Sequence, residues 1–89
     1  MGSTYRLEIV TREEGYPARE VQALDVPAAD GRLTVLARHQ THVCAVRAGT
    51  ALIVAADGGH EAWTIGPGVL TVTRALTTLL VSAAARQPA

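Results

Sequence analysis

Residues 51–74 read ALIVAADGGHEAWTIGPGVLTVTR, and this stretch decides the fold class. It holds three short runs of mainly apolar residues, 51–56, 62–66 and 69–74, which are separated by turn residues. Asp57-Gly58 is the strongest hairpin signal in the chain, because Asp-Gly tolerates the positive φ of a type I′ turn. The stretch therefore predicts antiparallel strands joined by tight turns.

The same alternation of apolar runs and turns continues outside this stretch, whereas helical spacing is hard to find. Further strands are predicted over 4–11, 20–27, 32–37, 42–49 and 76–82. Pro27 is expected to end the second of these, because it has no N–H for a central ladder. Eight to ten short strands in 89 residues predict an all-β fold, a small antiparallel β-sandwich or flattened barrel.

Length and composition describe one small domain, residues 1–89, with 84–89 as a flexible tail. Formal net charge is zero, and all eight basic residues are arginines without a basic stripe, which argues against nucleic acid as a partner. One cysteine fits a reducing compartment, and no secretory signal or run long enough for a membrane helix is present. We therefore expect a soluble intracellular domain with no direct membrane insertion.

Four side chains are candidate soft or borderline metal ligands, namely His39, His42, Cys44 and His60. His-x-x-His suits zinc on a helix or turn, but on a strand His39 and His42 point to opposite faces. His42 and Cys44 share a face, yet two ligands are too few for a site. The prediction is no metal and no cofactor, with a stand-alone, cupin-like metal-binding sandwich kept as an alternative.

Nucleophilic catalysis has no clear set of residues. The only serines, Ser3 and Ser82, lie near the two ends of the chain. Cys44 lies in an apolar strand, where burial raises a thiol pKa and makes the group inert. The paired acids, such as Glu13 and Glu14, lie in predicted turns. The chain is therefore expected not to be an enzyme.

Five segments, taken in order, resemble one family. They are TYRLEIVT (4–11), VPAADGRLTVLARH (26–39), AVRAGTALI (45–53), GGHEAWTIGPGVLTV (58–72) and TTLLVSAA (77–84). Each motif is weak alone, but the five occur in order at the right separations, and the correspondence is essentially gapless from Thr4 to Ala84, almost the whole chain. The chain resembles the N-terminal β-sandwich domain of the epsilon subunit of F-type ATP synthases.

The resemblance implies a non-catalytic central-stalk subunit that couples the gamma subunit to the membrane c-ring during proton- or sodium-driven ATP synthesis. It implies a peripheral location on the cytoplasmic face of a bacterial inner (plasma) membrane. Carried over residue by residue, the c-ring docking set is Asp30, Gly31, Arg32, Arg38 and His39. The set expected near gamma is Thr11, His39 and Cys44.

The sequence departs from the family pattern at several places, including Gln40-Thr41-His42, Gly66-Pro67-Gly68 and Ser82. Arg32 replaces an acidic residue, and Ala37-Arg38 replaces Pro-Gly before the histidine. The chain also stops at Ala89, where the family usually continues into an inhibitory two-helix hairpin. These departures leave open a diverged paralogue with another partner.

Overall fold

A computed structural model describes residues 3–37 and 41–88, and within these ranges the chain forms nine strands and no helix. The strands are β1 (Tyr5–Val10), β2 (Gly15–Ala28), β3 (Gly31–Leu36), β4 (His42–Val46), β5 (Gly49–Ala55), β6 (His60–Ile65), β7 (Gly68–Val72), β8 (Thr77–Val81) and β9 (Ala84–Arg86). The predicted all-β class is confirmed. No helix in these ranges is long and apolar enough to cross a membrane.

The strands form two layers that share the long strand β2. Layer one follows the order β1-β8-β7-β4, and layer two follows β3-β2-β5-β6-β9. The first half of β2, from Gly15 to Val21, pairs with β1, while its second half pairs with β3 and β5. One registered pair, Ala28 with Val46, joins β2 to β4. The two layers therefore meet at both ends of β2 and enclose one core.

The core is aliphatic, as the composition predicts. Trp63 is the one aromatic among its buried residues, which are Leu7, Ile9, Val21, Leu24, Val26, Val35, Val46, Ala51, Ile53, Trp63, Ile65, Leu70, Val72, Leu79 and Val81. Tyr5 and Tyr16 are partly buried against this cluster. The Tyr5 hydroxyl donates to the Val35 carbonyl at 2.7 Å, which ties β1 to β3.

One pair of strands departs from the antiparallel pairing of the predicted sandwich. β1 and β8 run parallel, with Leu7 beside Thr77 and Val10 beside Leu80. No tight turn joins these two strands, so their relative direction is not constrained by a hairpin. The sheet is therefore mixed.

The expected flexible tail over 84–89 is wrong for its first three residues. Ala84–Arg86 form β9, which pairs with Trp63–Ile65 of β6. The Gln87 N–H also donates to the Ala62 carbonyl at 2.8 Å. β9 thus satisfies backbone groups along the edge of β6 that would otherwise lack a strand partner.

Strand β2 spans Gly15–Ala28 and is longer than the predicted 20–27. It includes both Pro17 and Pro27. The predicted hairpin at Asp57-Gly58 is confirmed, although the loop spans residues 56–59 and is longer than a two-residue turn. Gly58 has a φ of 91°, and the Asp57 carboxylate accepts a hydrogen bond from the Gly59 N–H at 2.8 Å.

Candidate docking surfaces

The outward side of layer one carries a row of apolar side chains. Strand register places Val10, Leu80, Val69 and Ala45 next to one another across four strands. Leu80 is 51% exposed and Val69 is 39% exposed. On the neighbouring row, Val43 is 64% exposed. We call these five residues the first docking face.

The first docking face is unusual for the solvent side of a sheet. A sheet with one face on the core normally alternates apolar residues inward with polar residues outward. Here both sides of β4, β7 and β8 carry apolar residues, and the neighbouring row places the polar Thr71, Thr78 and Glu8 beside Val43. Contiguous exposed apolar residues mark interaction sites in soluble domains.

The outward side of layer two exposes a smaller apolar group. Leu36 and Leu52 are exposed, and the partly buried Ala23 and Val54 lie between them in the strand register. We call this group the second face.

The turn between β2 and β3 lies at one end of the sandwich. Asp30 is exposed, and Gly31 has a φ of 123°, a conformation that favours glycine. Arg32 follows, but its side chain folds back over layer two instead of extending from the turn. Its Nε lies 3.1 Å from the Asp25 carboxylate. The predicted charge reversal at position 32 is therefore offset within the chain.

The structure describes three members of the c-ring docking set predicted from the sequence, and they lie at the start of β3. These three are Asp30, Gly31 and Arg32. Arg38 and His39, which belong to the same predicted set, lie outside the described residues.

The residues expected near gamma lie in different environments. Thr11 follows β1 at the edge of the first docking face, and its hydroxyl accepts from the Glu14 N–H at 3.0 Å. Cys44 lies on the inward side of β4, opposite Leu70, and packs against the core. Burial raises the pKa of the Cys44 thiol. The outward position beside it belongs to Val43.

The candidate metal ligands do not form a cluster among the residues that the structure describes. His42 and Cys44 share the inward side of β4, as strand parity predicts, whereas His60 lies in layer two opposite Val54. No three His, Cys, Asp or Glu side chains within 3–37 and 41–88 are placed to hold a metal ion. His39 lies outside these ranges.

An ion-pair cluster around Glu61 was not predicted from the sequence. The Glu61 side chain is 8% exposed and accepts hydrogen bonds from Arg19 at 2.8 Å and from the Trp63 Nε1–H at 3.1 Å. Arg86 lies 3.8 Å from the second oxygen. Burial raises the pKa of Glu61, but the hydrogen bonds and the two positive charges outweigh it, so that the pKa is lowered. The cluster ties β2, β6 and β9 together.

Residues two apart on a strand lie on the same side, so the sequence could have indicated that Glu61 lies beside Trp63 on β6. Beside the cluster lies a cavity of about 150 Å³ lined by Leu7, Ile9, Tyr16, Pro17, Arg19 and Trp63. The cavity lies between the layers, and its walls are mainly apolar.

These features define a class of protein, namely a small all-β sandwich with two exposed apolar faces and a charged turn. The chain belongs to the ATP synthase Delta/Epsilon chain family, whose β-sandwich domain model matches residues 4–87. The resemblance seen in the sequence is thereby confirmed.

Curated relatives agree with this family. The chain is 33% identical over 84 residues to the ATP synthase epsilon chain of Bordetella petrii, covering 94% of this chain and 60% of the relative. It is 34% identical over 79 residues to that of Campylobacter hominis, covering 88% and 61% respectively. The chain thus spans about three fifths of the length of these relatives.

Two solved assemblies contain chains with the same fold. One is the Euglena gracilis mitochondrial ATP synthase, OSCP/F1/c-ring, with a TM-score of 0.89 and 18% identity over 97% of this chain and 55% of that chain. The other is the central stalk/c-ring of the Tetrahymena thermophila mitochondrial ATP synthase. There the TM-score is 0.78, with 9% identity over 93% of this chain and 66% of that chain.

Proposed function

We propose that this chain acts as a non-catalytic central-stalk subunit of a bacterial F-type ATP synthase. It would couple the gamma subunit to the c-ring while protons or sodium ions drive ATP synthesis. Family membership supports this role, and the solved chains of the same fold belong to ATP synthase assemblies. The proposed location is peripheral, on the cytoplasmic face of the inner membrane.

The observation that carries the proposal is the first docking face. Val10, Leu80, Val69 and Ala45 form an apolar row across four strands, and Val43 lies beside it. Removing apolar area from water contributes about 25 cal/mol per Å², so an apolar partner surface would bind here. We assign this face to gamma, with Thr11 at its edge.

A second contact is assigned to the charged turn. Asp30 is exposed at the turn between β2 and β3, as a polar, solvent-accessible contact requires. Charged groups at the edge of an interface set register and steer association. In this proposal the turn meets the polar loops of the c-ring, while the first docking face holds gamma.

Calorimetry with the purified cognate gamma subunit tests the main contact. Leu80→Asp places a charge in the centre of the first docking face, and we expect affinity to fall by at least about tenfold because the carboxylate must be desolvated. Leu52→Asp, on the second face, is the matched control and should bind like the unmodified chain. Fluorescence of Trp63 verifies that each variant is folded.

Two results would remove the proposal. One is a lack of measurable affinity between the unmodified chain and gamma. The other is an equal loss of affinity in Leu52→Asp and Leu80→Asp, which would mean that the first docking face is not the contact surface.

A further inference from the structure

Arg32 makes three contacts through one guanidinium group. Its Nε donates to the Asp25 carboxylate at 3.1 Å, and its Nη2 donates to the Thr50 carbonyl at 2.8 Å. The same Nη2 lies 3.3 Å from the Asp25 carbonyl. Because Arg32 belongs to β3, Asp25 to β2 and Thr50 to β5, the side chain joins three strands. We call this group the Arg32 clasp.

The contact with Thr50 lies where the ladder between β2 and β5 stops. Asp25 opposes Leu52 in the last registered pair, and continuing that register would place Pro27 opposite Thr50. Pro27 has no N–H to donate. The Arg32 guanidinium supplies a donor to the Thr50 carbonyl, and the Pro27 carbonyl accepts from the Arg47 N–H at 2.9 Å.

The clasp lies directly beside the exposed turn. Arg32 follows Gly31, and Pro27 pairs with Arg32 on the other side of the same turn. Because the guanidinium of Arg32 is bound to β2 and β5, it restrains the backbone of the turn that carries Asp30. A planar fork of donors suits this task, because it engages two acceptors in one orientation.

We propose that Arg32 is a positioning residue: the Arg32 clasp replaces the hydrogen bond that Pro27 cannot make and holds the turn so that the Asp30 carboxylate faces the partner. The nature of the partner, the polar loops of the c-ring, rests on the proposed function. The arginine that replaces the family's acidic residue is paired with Asp25 within the chain, so its charge is offset at the surface that presents Asp30.

Amide hydrogen exchange on the isolated full chain tests the clasp without any partner. In Arg32→Met/Asp25→Asn, net charge and side-chain size are nearly kept while the ion pair and the donor to Thr50 are lost. Amides of residues 30–33 and 49–51 should exchange at least about tenfold faster, because a charge-assisted bond opposes local opening. Arg47→Met removes another exposed arginine at this end and should leave these rates unchanged.

Titration of the same variants against the isolated c-ring in detergent, at several salt concentrations, tests the presentation of Asp30. The clasp double variant should bind about tenfold more weakly with an unchanged salt dependence. Asp30→Asn should bind more weakly with a shallower salt dependence, because exposed charges act through screened electrostatics.

The outcomes distinguish the Arg32 clasp from the contact of Asp30 with the c-ring. Exchange rates in the clasp double variant within twofold of the unmodified chain would overturn the clasp. Faster exchange with unchanged ring binding would overturn its positioning role. If the unmodified chain does not bind the ring, the proposed ring contact fails, and the exchange rates still decide whether Arg32 holds the turn.

Discussion

The phenol ring of Tyr16 meets the indole ring of Trp63 edge to face, with ring centroids 5.0 Å apart and ring planes at 85°. The Tyr16 hydroxyl also donates to the Ala84 carbonyl of β9 at 3.3 Å. The start of β2 forms no backbone ladder with β6 or β9. The contact between Tyr16 and Trp63 therefore holds these strands together through side chains.

Tyr16→Ala should destabilise the domain by about 2–4 kcal/mol, since it removes partly buried ring area and an aromatic pair. Tyr16→Phe keeps the ring and loses one long hydrogen bond, so its loss should stay below about 1 kcal/mol. Equilibrium unfolding in urea, followed by Trp63 fluorescence, measures both free energies. Equal losses in the two variants would show that the hydroxyl, and not the ring, provides the stability.

Acid should reduce the stability that the Glu61 cluster gives to the fold. The pKa of Glu61 is lowered in the folded chain, so the ionised carboxylate stabilises the fold. This stabilisation is complete above the unfolded-state pKa of about 4.3. It is lost as the pH falls through the lower folded-state pKa. We expect the midpoint of thermal unfolding to fall more steeply below about pH 4.5 in the unmodified chain than in Glu61→Gln. Glu13→Gln, at an exposed turn residue, is the control and should keep the steep profile.

Gly68 lies where β7 passes close to β8. A Cβ at this position would overlap the Leu80 carbonyl oxygen and crowd the Val81 backbone, neither of which is the movable end of a side chain. Gly68→Ala should therefore cost about 3 kcal/mol or more and lower the melting temperature by about 12 °C or more. Gly15→Ala is the matched control, because a Cβ there meets no atom within 4 Å. Similar melting temperatures for the two variants would contradict the close approach.

Cys44 should react slowly with thiol reagents in the folded chain. Its side chain packs against the core and its pKa is raised, so little thiolate is present and access is limited. The control is Val43→Cys/Cys44→Ala, which moves the thiol to the adjacent, largely exposed outward position. Reaction of both proteins with a chromogenic disulfide at pH 7.5 should be at least about tenfold slower for Cys44. Equal rates would place Cys44 in contact with solvent.

The sequence predicted correctly those strands that are joined by a turn with its own sequence motif. Asp57-Gly58 indicated the β5–β6 hairpin, and the period of two placed His42 and Cys44 on one side of β4. β9 was missed because Ala84, Ala85 and Arg86 show no alternation, and their strand conformation depends on the edge of β6. Local propensity carries little information where pairing with a distant strand decides the structure.

The charged groups were less predictable than the strands. Glu61 is buried because Arg19 and Arg86 reach it from two other strands, and no short sequence window contains all three. Arg32 suggested an outward charge, but its orientation follows from the carbonyl of Thr50 and from the missing N–H of Pro27. Such arrangements depend on strand register, which the sequence does not state locally.

The parallel contact of β1 with β8 also sets the order in which the domain can be completed during synthesis. Leu7 must wait for Thr77 to leave the ribosome before layer one can close. At about 5–20 residues per second, this interval lasts roughly 4–14 s. Throughout it, one edge of β1 lacks its strand partner and is open to pairing with other nascent chains.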